Sequence, residues 1–207
     1  MYGIIRMIPL LILASLSLTA SGGENRKPWV SDSAEVIYFF SLHCGECYKN
    51  EPYFSLSKIK AQANATFVKV PLTMGGNAEA GARLHFLLSL SKARYDLTEL
   101  ERSRAGYSLL LETPSLRAND KNAYSALFRE YGMRFSAFEF EKWWADSTLL
   151  MEDAAILADQ ASEEKGMVYP GDIRVYNNGK VSWFNLSGND KLSAVKGIIE
   201  AVNDENN

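Results

Sequence analysis

The sequence is poor in the residues that carry most protein chemistry. It has two cysteines and two histidines in 207 residues, too few for a disulfide-dense scaffold. They make a structural zinc site only if both histidines or some carboxylates join in. Six prolines and 14 glycines exclude collagen-like and low-complexity chains. No block of Lys or Arg occurs, and 22 basic against 25 acidic residues leave a net charge of −3. The electrostatic footprint of a nucleic-acid binder is therefore missing. The most apolar stretch, Met7 to Leu18, is too short to cross a bilayer of about 30 Å as a helix. What the chain does have is 47% hydrophobic and 12% aromatic residues. That is enough to bury the core of one domain, or of one domain with a large insertion.

The first residues read as an export signal. Arg6 and the free amine give a weakly positive start, Met7 to Ala14 an apolar centre, and Ser17, Thr19, Ala20 and Ser21 a small-residue exit. Residues 1–21 are thus expected to be a cleaved signal peptide, which places the mature protein in an oxidising compartment.

Beyond it, Glu35 to Phe40 is short and rich in β-branched and aromatic residues, reads as a buried strand, and runs straight into Ser41-Leu42-His43-Cys44. Tyr53, Leu56 and Ile59 mark a helix within Tyr48 to Ala63, and Thr66 to Val70 a second strand closed by Pro71. This order predicts a parallel pair with a helical crossover. From about Ala78 to Glu164 the apolar spacing is helical throughout. Asp172 to Tyr176, the turn Asn177-Asn178-Gly179-Lys180 and Val181 to Phe184 then read as a hairpin, and Lys191 to Val202 as a last helix.

Chemistry concentrates in Cys44-Gly45-Glu46-Cys47. Two cysteines scattered at random in this length fall three apart only about one time in a hundred, so the spacing itself carries information. The pair sits where a strand ends and a helix begins. Free N–H groups and the positive end of the helix dipole stabilise a thiolate at such a place. Cys44 is therefore the expected nucleophile, and Cys47, one turn further in, the resolving thiol. Two plainer readings stand beside this one. A purely structural disulfide would close so small a loop that it constrains almost nothing. A metal half-site would use His43, Cys44 and Cys47.

The run Val36 to Tyr48, with Cys44-Gly45-Glu46-Cys47 at its centre, resembles the active-site stretch of the DsbA-like thiol–disulfide oxidoreductases. Thr73-Met74-Gly75-Gly76 and the helical block resemble the insertion of that family, and Tyr169-Pro170 with its hairpin resembles the family's cis-proline loop. Pro52 stands where thioredoxin-like active-site helices carry a kinking proline. The resemblance implies an α/β protein, a thioredoxin fold with an inserted all-helical subdomain. Residues 22–74 and 165–207 would form the thioredoxin-like part and 75–164 the insertion. It also implies a periplasmic enzyme with no cofactor beyond a redox-active Cys44–Cys47 disulfide. Its partners would be reduced exported proteins and a membrane reoxidase of the DsbB type, and it would work as a monomer. Pro170 would be the cis proline facing the disulfide, with the backbone at Tyr169 pairing to substrate.

The chain departs from that pattern in two places. Strong oxidases of the family carry Pro-His between the cysteines, where this chain has Gly45-Glu46. An ionised Glu46 disfavours the Cys44 thiolate, so a weaker oxidant is expected, with His43 compensating in part. Many thioredoxin-fold enzymes also keep a buried acid six residues before the first cysteine, where this chain has Tyr38. Glu51, one turn past Cys47, either takes that proton-handling role or is a solvated helix charge. A reductase or isomerase using the reduced cysteines is the enzymatic alternative, and a chaperone-like binding module the non-catalytic one. His85 reads as structural, as do Trp143, Trp144 and the Phe135, Phe138, Phe140 group. Asn64-Ala65-Thr66 and Asn185-Leu186-Ser187 match a glycosylation pattern too short to weigh.

Overall fold

A computed structural model of the chain describes residues 34–55, 65–73, 77–95, 99–186 and 190–204. The expected signal peptide, Asn64 and the Met74-Gly75-Gly76 turn lie outside them. Strand β1 (Ala34–Phe40) is followed by helix α1 (Gly45–Ser55) and strand β2 (Ala65–Pro71). Helices α2 (Asn77–Tyr95), α3 (Glu99–Glu112), α4 (Lys121–Glu130) and α5 (Ala137–Lys165) come next. Strands β3 (Asp172–Asn177) and β4 (Lys180–Asn185) and helix α6 (Lys191–Asn203) end the order.

The four strands form one sheet in the order β2-β1-β3-β4. β1 and β2 are parallel, with Tyr38 opposite Lys69, whereas β3 runs antiparallel to both β1 and β4. The hairpin turns at Asn178 and Gly179, with φ of 48° and 81°. Two successive positive φ values suit the twist of the flanking strands, and Asn-Gly is the pair that adopts them most readily.

Alternation along β1 divides the core into two. Val36, Tyr38 and Phe40 join Ile173, Val175, Cys47 and the apolar stripe of α6 (Val195, Ile198, Val202) on one face. Ile37 and Phe39 join Ala154, Ala158 and Ala161 of α5 on the other. Small residues repeated every three or four positions bring α5 close against the sheet. At 29 residues, about 44 Å long, α5 starts among the inserted helices and finishes beneath the strands. Its start is fixed by a capping box in which Ser136 and Glu139 satisfy each other's backbone N–H. Among α2 to α5, Arg83 is buried over the Trp144 ring and donates to Ser147 and Thr148 at 2.9 and 2.7 Å. Phe135, Phe140, Trp143 and Trp144 pack together as expected. Phe138 does not, because it projects into solvent, 80% exposed.

Candidate active site at the start of helix α1

The structure joins Cys44 and Cys47 in a disulfide with Cα atoms 5.1 Å apart. Helix α1 begins at Gly45, directly after Cys44, where the cysteine pair is expected to open a helix and ahead of the apolar spacing within Tyr48 to Ala63. Cys44 therefore occupies the N-cap. Its N–H donates to the Ser41 carbonyl at 3.0 Å, and its own carbonyl accepts the first helical bond from Tyr48 at 3.2 Å. The Cys47 N–H points at Cys44 Sγ, 3.0 Å away. Serine or aspartate oxygens usually take that N3 N–H, and here a sulfur does. A thiolate released at Cys44 thus already has a donor facing it and the positive end of α1 behind it. Cys44 is half-buried and Cys47 fully buried, so a visiting sulfur meets Cys44 first. In this oxidised form the two sulfurs are bonded to each other and not free to hold a metal. Among the described residues no group of three or more His, Cys, Asp and Glu is placed to hold a metal.

The two flanks of Cys44 differ in character. On one, Glu46 accepts from Lys49 at 2.6 Å and lies 3.9 Å from Lys191. The hydrogen bond from Lys49, and then the positive charges of Lys49 and Lys191, hold the Glu46 carboxyl below the usual carboxylate range. On the other flank, His43 is exposed and its Nε2 lies 2.8 Å from the Asn77 carbonyl, tying the loop to the first turn of α2. Leu42 is buried beneath it, so close to Gly106 of α3 that a Cβ there would sit 3.0 Å from Leu42 Cδ1. Glu51 stands in α1 one turn past Cys47, and its side chain lies outside the described residues.

The Pro170 loop reaches the same end of the sheet, because the Gly171 N–H donates to the Phe39 carbonyl at 2.8 Å. The expectation of a cis bond before Pro170 is corrected here: no cis peptide occurs among the described residues. The chain reverses instead at Gly171, whose φ of 105° only glycine adopts readily. The loop is closed by Asp172. Its buried carboxylate accepts from the Tyr169 N–H at 2.8 Å, from Asn185 at 2.7 Å and from Lys165, while its N–H donates to the Tyr169 carbonyl at 3.0 Å. The Tyr169 N–H, which strand pairing with a substrate requires, is therefore already occupied.

Sequence reasoning missed both Asp172 and Asn50 as site residues, since neither shows its burial in the pattern. Asn50 follows Cys47 by one turn and is completely buried. Among the described residues neither atom of its amide has a hydrogen-bond partner. Such a group costs about 1–3 kcal/mol in desolvation. Asn50→Leu, similar in branching, is therefore expected to raise the stability of the oxidised protein by about 1–3 kcal/mol in urea unfolding. An unchanged or lower midpoint would mean that the amide is satisfied in solution.

No protein-family model matches the sequence, and no curated protein does. Solved structures do. A single-substitution variant of Pseudomonas aeruginosa DsbA superposes with a TM-score of 0.58 at 20% identity, over 81% of this chain and 86% of that one. The P. aeruginosa DsbA structure without that substitution gives 0.55 at 19% over 81% and 83%, and the oxidoreductase DsbA from Xylella fastidiosa 0.54 at 18% over 82% and 83%. The chain has the thioredoxin fold with an inserted helical region, in the arrangement of these DsbA structures. Its Cys-X-X-Cys disulfide stands at the end of the first strand and the start of the first helix described.

Proposed function

We propose that this protein is an exported, periplasmic thiol–disulfide oxidoreductase that introduces disulfides into other exported proteins. A single observation carries the reading: the half-buried Cys44 caps a helix and is bonded to a fully buried Cys47. A substrate thiolate attacks Cys44 Sγ, a substrate–Cys44 bond forms, the Cys44–Cys47 bond breaks and Cys47 leaves as a thiolate. A second substrate thiolate then attacks the substrate sulfur of the mixed disulfide and releases Cys44. The substrate loses two electrons and two protons, and the protein's cysteine pair gains the electrons. A membrane reoxidase of the DsbB type restores the disulfide, and the protein works as a monomer, with residues 75–164 as its insertion domain.

Within this reading, Pro170 and Tyr169 border the attacking chain. His43 braces the loop before Cys44, and Glu51 takes part in proton transfer from Cys47. Glu46 sets the driving force. An ionised carboxylate two residues from Cys44 disfavours the thiolate and so favours retention of the disulfide. That observation also supports the second reading, a reductase working from the reduced pair.

Mixing oxidised protein with a reduced, unfolded substrate carrying two cysteines separates the two. For an oxidase, each substrate disulfide appears together with two thiols on the protein. Acceleration of insulin reduction with no substrate disulfide formed assigns the reductase. Equilibration with glutathione is expected to give a potential below the roughly −120 mV of a strong periplasmic oxidase. Glu46→Gln should raise it, by no more than about 30 mV, a tenfold change in the equilibrium constant. A potential unmoved by Glu46→Gln removes Glu46 from the mechanism.

A further inference from the structure

Between α1 and α3, on the side of Cys44 away from Glu46, lies a cavity of about 300 Å³. Leu42, His43, Gly45, Tyr48, Tyr107 and Leu111 are among its lining. We propose that it is a subsite for an aromatic or long aliphatic side chain standing within two residues of the substrate cysteine that attacks Cys44. This deepens the exchange reading above and rests on it.

The walls are mostly apolar, with His43 and Ser108 as their polar members. Leu42 is buried as the floor. The Tyr48 and Tyr107 rings meet edge to face, 5.0 Å between centroids, an arrangement that aromatic pairs prefer. The Tyr107 hydroxyl donates to the Ser41 carbonyl at 3.3 Å, so this wall is tied to the loop that carries Cys44. His43 is held from the other side by Asn77. Leu111 is 82% exposed and Tyr48 46% exposed, so apolar surface remains at the rim to be covered. The cavity is at the lower end of the size range of small-ligand pockets, roughly 300–1,000 Å³, and suits one side chain rather than a folded surface.

The occupant follows from continuity with the disulfide. Gly45, the residue after Cys44, is part of the cavity wall, and a Cβ placed there would meet nothing within 4 Å. An extended chain advances about 3.4 Å per residue, and with the cavity wall reaching Gly45, next to Cys44, a neighbour of the attacking cysteine is the part of the substrate nearest to it. A charged side chain has its own surroundings on the opposite flank, at Glu46, Lys49 and Lys191, and no reason to enter this one. Substrates would then be sorted by one apolar residue beside the cysteine, available only while a protein is unfolded.

The test uses the full chain carrying Cys47→Ser, with Cys44 charged as a mixed disulfide with thionitrobenzoate. Attack by a peptide thiol on Cys44 releases the chromophore. Two peptides are compared, identical except for Phe or Ser next to their single cysteine. The Phe peptide is expected to react about tenfold faster, equivalent to about 1.4 kcal/mol. Tyr107→Ala and, independently, the rim substitution Leu111→Asp should each bring the ratio close to one. Leu111 is so exposed that Leu111→Asp remains decisive even where Tyr107→Ala impairs folding, which circular dichroism reports. A ratio within twofold in the parent protein, or a tenfold ratio that survives Leu111→Asp, overturns the subsite and leaves the exchange reading intact. Chromophore release with neither peptide overturns both.

Discussion

Replacing Cys47 with serine is expected to stop exchange halfway, with the protein held covalently on its substrate. In the proposed mechanism the mixed disulfide at Cys44 has two exits: attack by a second substrate thiolate, and attack by Cys47, which releases the substrate unchanged. Cys47 is well placed for the second exit, fully buried and one turn from Cys44 with its own N–H on the Cys44 sulfur. With serine there, that exit closes, and a substrate carrying a single cysteine has none left. Non-reducing gels or intact mass should then show a stable one-to-one adduct through Cys44. Cys44→Ser should instead lower turnover by about 10³-fold or more and give no adduct, because the remaining thiol is shielded from large partners. Equal trapping by both single variants would mean that the two sulfurs are equally accessible, and the assignment of nucleophile and resolving thiol would fall. Exchange that survives Cys44→Ser would remove Cys44 as the nucleophile, whereas a parent protein that binds substrate without exchanging disulfides would be a binding module.

The readable parts of the sequence were those where one physical preference acts alone. β1 and the hairpin follow from runs of β-branched and aromatic residues bounded by turn formers. The Asn178-Gly179 turn adopts the two positive φ values that its residues favour. The start of α1 is legible from the strand-to-helix junction at Cys44 and not from apolar periodicity, which begins only at Tyr53; the cap is a cysteine whose sulfur replaces the usual oxygen. Asp172 and Asn50 were invisible for another reason. Each is a polar residue in an ordinary polar position of the pattern, and only the folded structure shows that it is buried. The trans bond before Pro170 belongs with these, since the loop is shaped by Asp172 reaching back to Tyr169. The cavity beside Cys44 depends on Tyr107 of α3 packing against Tyr48 of α1, a contact between helices 59 residues apart that no local spacing announces.

His85 shows how such distant packing alters a titration, and the protein is expected to lose stability in acid because of it. The sequence offered it as a structural histidine in α2, and the structure agrees. Its imidazole meets the Phe40 ring edge-on at 4.8 Å and packs beside Phe86, with Lys69 of β2 and Arg102 of α3 as the nearby charges. Burial, and then those two cations, push its pKa down to about 3. In the unfolded chain the same side chain takes up its proton near pH 6.5. Between about pH 6.5 and 3 the unfolded state therefore binds more protons than the folded one, and stability falls as the pH is lowered. Above pH 7 His85 is neutral in both states and contributes no slope. The loss per pH unit is at most about 1.4 kcal/mol, a ceiling because part of the ring reaches water. From pH 6.5 to 4.5 it amounts to up to about 2.3 kcal/mol. His85→Phe keeps an aromatic ring against Phe40 and removes the titration. Its urea stability at pH 4.5, relative to pH 7, should exceed that of the parent by most of this amount. Carboxylates titrating over the same range act on both proteins and cancel in the comparison. Parallel pH profiles for the two proteins would show that the imidazole is already protonated in the fold, with its charge compensated by groups other than Lys69 and Arg102.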